Sequence, residues 1–112
     1  MNSLILNISK VMAEIKVIKT STVKSIKRQF AKDFDCNIRI YKGNRFADDK
    51  MKISELSKTD DPGGTLELGA RSRVENVERY FKEKFGIKVQ VSNADDTKLA
   101  DNSMTLTQAG KL

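Results

Sequence analysis

Between residues 15 and 40 the spacing of apolar positions changes twice. Ile15 and Val17 alternate with polar neighbours, as half-buried strands do. Val23, Ile26, Phe30 and Phe34 then fall at i, i+3, i+7 and i+11, one stripe of an amphipathic helix. Cys36, Ile38 and Ile40 return to alternation. The same succession comes back 51 positions later, as Leu66 and Leu68, then Val74, Val77, Phe81 and Phe85, then Ile87, Val89 and Val91. Few residues are identical across this overlay, so the order of apolar positions carries the repeat. With two extra residues in the second copy the match resumes, Phe46-Ala47-Asp48 over Leu99-Ala100-Asp101 and Ile53 over Leu106. A period near fifty with two copies reads as a two-fold unit rather than a solenoid.

Each copy therefore reads strand, helix, strand. Ser21 and Ser72 are expected to cap the helix starts, and Gly86 to stop the second helix in a left-handed turn. Ile53–Ser57 reads as a short helical turn, and Asp60-Asp61-Pro62-Gly63-Gly64 as a turn between the copies. The order β-α-β-β-α-β predicts an α+β fold of ferredoxin-like (split βαβ) type, one antiparallel sheet with both helices on one face. Residues 1–112 are expected to form a single domain with repeats at about 15–57 and 66–110. Ser3–Ile8 is apolar but lacks a charged n-region and a cleavage site, so it is not read as a signal peptide. Met12 opens a second plausible start, and residues 1–11 read as a dispensable extension or an extra strand.

Gly43-Asn44-Arg45-Phe46-Ala47-Asp48, followed by Met51, Ile53 and Leu56, resembles the stretch after the third strand of ubiquitin-like β-grasp domains. The later apolar residue comes one position late. The resemblance implies a β-grasp fold over residues 3–69 as the alternative architecture, with 3–8 and 14–19 as its opening hairpin and 65–69 as its last strand. It leaves 70–112 outside. Gly63-Gly64 is internal, so a conjugated modifier is not implied.

Composition narrows the chemistry. The chain of 112 residues has no His, no Trp and one Cys. That removes the usual general base near neutral pH, the Ser-His and Cys-His pairings and the commonest zinc ligand. A lone Cys favours a reducing, cytoplasmic setting, and Cys36 sits at a core-facing position. No stretch is long and apolar enough to span a membrane. The pairs Asp48-Asp49, Asp60-Asp61 and Asp95-Asp96 lack a calcium-loop pattern and read as turn residues. No glycine pattern cradles phosphates. Neither a metal nor a cofactor is implied, and the chain reads as non-catalytic.

Charge is uneven. Residues 1–46 carry ten basic side chains against three acidic ones, a net +7, while the remainder is −1. The first helix is the functional candidate, because its non-core side bears Lys24, Lys27, Arg28 and Lys32. At the matching places the second helix has Glu75, Glu78, Arg79 and Glu83, whose i, i+4 neighbours balance in sign. With Arg39, Lys42 and Arg45 nearby in sequence, the first helix predicts a patch for phosphates or an acidic protein. Tyr41 is the one aromatic expected on the open sheet face, which disfavours base-reading of the RNA-recognition type. The expectation is a small binding protein that docks on a macromolecular partner, with a homodimer through the open sheet as one arrangement. The alternative is a weakly specific nucleic-acid binder using the basic helix.

Overall fold

The computed structural model describes residues 12–59 and 63–112. The expected extension at 1–11 and the turn residues 60–62 lie outside them. The described chain is an α+β fold with two antiparallel sheets and four helices. Its elements run β1 (Met12–Ile18), α1 (Val23–Phe34), β2 (Asn37–Lys42), β3 (Arg45–Phe46), α2 (Ile53–Leu56), β4 (Gly63–Gly69), α3 (Val74–Phe85), β5 (Val89–Ser92) and α4 (Leu106–Gly110).

The two long helices form where the apolar stripes predict, and every stripe residue from Val23 to Phe34 and from Val74 to Phe85 is buried. Their starts lie one residue beyond the expected serines. Thr22 caps α1, its hydroxyl accepting from the Ser25 N–H at 3.2 Å, and Arg73 precedes α3 without a side-chain cap. Isolated bridges to Lys52 and Thr105 hold Thr22 and Arg73 extended, which is the backbone an N-cap requires. Ser21 and Ser72 instead accept from the N–H groups of Ile18 and Gly69, closing the strand-to-helix turns. Gly86 ends α3 at φ 66°, as expected. Gly63 and Gly64 are not a turn, since both belong to β4, opposite Ile18 and Val17.

The sheets differ from a ferredoxin-like arrangement. β1 pairs with β4, as that fold requires, but β2 pairs with β5 and with β3. A ferredoxin-like sheet needs β1–β5 and β2–β4 pairs as well, and neither occurs among the described residues. The reason is edge occupancy. β5 holds one edge of β2, the β2–β3 hairpin holds the other, and Leu99 and Ala100 cover part of the far edge of β5. On β1, the Gln29 side chain bonds the backbone N–H and C=O of Lys16 in place of a neighbouring strand. The β-grasp alternative needs residues 3–8 as a strand, outside the described chain, and one sheet where two are found.

The inward faces of both sheets, with the helix stripes, make one core cluster drawn from both halves. The halves fold alike in detail. Phe30–Phe34 and Phe81–Phe85 stack with centroids 6.1 and 5.9 Å apart at 53° and 52°. Val23 and Val74 donate to Met51 and Met104, both at 2.9 Å, and Ala47 and Ala100 donate to Ile40 and Val91. Each half also reaches the end of the other's long helix. Lys58 N–H and the Ser57 hydroxyl donate to Phe85 O, while α4 lies so close to α1 that a Cβ on Gly110 would stand 2.6 Å from Phe34 O.

Candidate docking site

The seven basic residues singled out from sequence fall into three groups. Lys24, Arg28 and Lys32 lie exposed along one ridge of α1, their side chains with no hydrogen-bond or ion-pair partner among the described residues. Lys27 turns away from them to Asp49, 3.0 Å from its carboxylate. Arg39, Lys42 and Arg45 belong to the β2–β3 hairpin. Arg39 is on the sheet's outer face, because the core-facing partners in β2 are Ile38 and Ile40. The structure therefore does not gather all seven into one patch, and two of the seven are neutralised by aspartates.

The outer face of β3–β2–β5 is the more organised surface. Tyr41 and Phe46 are cross-strand partners with ring centroids 5.2 Å apart. Phe46 is 64% exposed. Lys88 Nζ lies 4.8 Å from the Tyr41 centroid and the Arg39 guanidinium 5.8 Å from that of Phe46, both in cation–π range. The Tyr41 hydroxyl donates to the Gln90 side chain. Arg39 is locked from the other side, its Nε 2.7 Å from Asp96 Oδ1 and its Nη2 bonded to the Asp96 carbonyl.

Asp96 is delivered by the loop that the second half builds from its two extra residues. Buried Asn93 organises that loop, its Oδ1 accepting from the Thr97 and Lys98 N–H groups. This places Asp96 at φ 58° between Arg39 and the Ser92 hydroxyl. Burial works to raise the Asp96 carboxyl, but the bonds from Ser92 and Arg39, with the charges of Arg39 and Lys27, outweigh it and hold it below its ordinary value. The bond to Asp96 in turn raises the Arg39 guanidinium.

Three site residues escape the sequence reading. Phe46 was legible in principle, because a two-residue Gly43-Asn44 loop sets Phe46 opposite Tyr41. Lys88 stands at an outward strand position but signals no contact by itself. Asp96 has no local signal beyond the extra loop length. On α3 the expected i, i+4 ion pairs are absent among the described residues: Arg79 donates to Asn76, and Glu78 accepts from the Val91 N–H at 3.3 Å. Burial raises the Glu78 carboxyl, and that backbone bond only partly offsets it.

The remaining chemistry is sparse. Burial first, then the neighbouring Asp35 charge, pushes the Cys36 thiol up to about 12, so it presents no thiolate near neutral pH. Among the described residues no group of His, Cys, Asp and Glu converges as a metal site, and no helix is long and apolar enough to cross a membrane. No family model, curated protein or solved structure matches this chain.

Proposed function

We propose that the chain is a small non-catalytic binding protein that docks on a protein partner through the outer face of β3–β2–β5. The observation that carries this reading is Phe46, an exposed ring fixed against Tyr41, with the Arg39 guanidinium over Phe46 and the Lys88 ammonium over Tyr41. A rigid aromatic anchor beside arginine is the composition that dominates binding energy at protein interfaces. The absence of His and the protonated Cys36 thiol suit a binding role over catalysis, and the lone buried cysteine suits a cytoplasmic setting.

The test is a photo-crosslinking amino acid placed at position 46 and, as control, at position 75 on the exposed side of α3. A discrete adduct specific to position 46, lost on Lys88→Glu, supports the surface. Equal labelling from both positions refutes it. An adduct of twice the chain mass identifies a homodimer through this sheet.

A second reading, nucleic-acid binding by α1, is favoured by the unpaired ridge of Lys24, Arg28 and Lys32. It predicts that generic RNA and duplex DNA bind in fluorescence anisotropy, steeply weaker with salt. Substituting all three by Glu removes that binding, whereas salt-independent or absent binding eliminates the reading.

A further inference from the structure

We infer that the free edge of β5 beside α3, a surface apart from the outer sheet face, binds a short acidic peptide segment in extended form by adding it as a strand. In an antiparallel ladder the backbone groups of successive residues point to opposite edges. Tyr41 N–H donates to Lys88 O, so Lys88 and Gln90 face β2 while Val89 and Val91 face away. Val91 is already satisfied, its N–H by Glu78 and its C=O by Ala100. Val89 N–H and C=O have no hydrogen bond among the described residues. They form a donor–acceptor pair on a strand edge, which is what an added strand recognises.

The other half of the molecule shows the same edge closed. At the position matching Val89, the Ile38 N–H is taken by Asn37 Oδ1 at 2.8 Å. The residue matching Asn37 is Lys88, which has no acceptor to offer. Beside this open edge lies a groove of about 560 Å³ between α3 and residues 86–90. Its charged lining is Arg79, Lys82 and Lys88 against Glu78 alone, and the Glu78 carboxylate is turned to Val91. Alternate side chains of an added strand point to opposite faces, so an acidic set turned to the α3 side meets Arg79 and Lys82 in the groove, while the Lys88 ammonium lies over Tyr41 on the outer side. A nucleic acid offers no amide and carbonyl at the spacing of Val89.

The experiment is an amide-resolved NMR titration of the full chain with an acetylated hexapeptide of alternating Val and Glu. The expected result is saturable shifts centred on residues 87–91 and slowed exchange of the Val89 N–H. A Val-Lys counterpart should bind about tenfold more weakly, as opposite charge demands. Lys88→Asn, which copies the closed edge of the first half, should weaken binding about fivefold more than Lys88→Met, which removes the charge alone, roughly the loss of one neutral hydrogen bond, while leaving the remaining spectrum folded. The inference fails if no saturable shift develops at millimolar peptide or if the shifts centre elsewhere. It fails equally if a peptide N-methylated at alternate amides binds as well as its parent, because attraction would then be charge alone. An eight-nucleotide RNA that shifts residues 87–91 more strongly than the peptide would also overturn it.

Discussion

Arg39 of β2 stands directly opposite Gln90 of β5, and the two hold the same place in the two halves of the chain, 51 positions apart. Ile15 and Leu66 do likewise in β1–β4. A ladder centred on an equivalent pair is a ladder crossed by a two-fold axis, so one approximate axis runs through both sheets. On the outer face it emerges between Arg39 and Gln90, with Phe46 and Leu99 at matching margins, 64% and 45% exposed. Chemistry breaks the symmetry there, since only Arg39 acquires an aspartate partner and only the Phe46 margin carries stacked rings.

The likeness of the halves sets a stability expectation. Phe30 and Phe81 are both fully buried in matching stacks. Phe30→Ala and Phe81→Ala should each cost about 3–5 kcal/mol in urea unfolding, and the two values should agree within about 1 kcal/mol. A loss confined to one of them would show that the halves do not share one core.

The pair Arg39–Asp96 predicts a pH dependence. The Asp96 carboxyl is held below its ordinary value, so its contribution is present above the unfolded value near 3.9 and disappears as pH falls through the lowered folded value. Asp96 is 38% exposed, so Asp96→Asn should cost only about 0.5–1 kcal/mol at pH 7. Denaturation of both proteins at successively lower pH, from neutral to below the unfolded value, should show the difference closing.

Helix α1 ends on Asp35 at φ 56°, where its counterpart Gly86 has φ 66°. A side chain in left-handed backbone is strained, so Asp35→Gly should stabilise by about 0.5–1 kcal/mol. Gly86→Ala should do the reverse by about 1–2 kcal/mol, because its Cβ would also sit 3.0 Å from that of Lys58. Thermal unfolding of the two variants reads the opposite signs.

Cys36 should resist thiol reagents. With its thiol buried and held up to about 12, labelling at pH 8 should proceed only through unfolding and finish at once in denaturant. The unfolded thiol ionises near 8.5 and the folded one near 12, so this group should also erode stability as pH rises between those values.

The elements were readable because each apolar stripe has one way to bury itself. Val23 to Phe34 and Val74 to Phe85 admit no other face, and the alternation of Ile38 and Ile40 orients Arg39 and Tyr41 outward in advance. Sheet pairing was not readable in the same way. The pattern says that β2 and β5 each have one apolar face, but it does not say which edges meet, and both the ferredoxin-like pairing and the observed one satisfy it. Charge was the least legible property. Seven of the basic residues in the first 46 suggested one patch, yet Asp49 and Asp96, 22 and 57 positions away from their partners, neutralise Lys27 and Arg39.

The reach of Ser57 and Lys58 to Phe85, and of Gly110 to Phe34, makes each half the lid on the other's helix. The molecule is thereby a dimer whose subunits share one polypeptide. Fragments 12–59 and 63–112 should each remain unfolded alone and fold on mixing, with a midpoint that rises with concentration. In the intact chain the linker at 60–62 replaces that dependence with a fixed effective concentration. Gly110→Ala, by pressing a methyl group into the Phe34 carbonyl, should loosen this internal assembly at a point where no residue of the first half has changed.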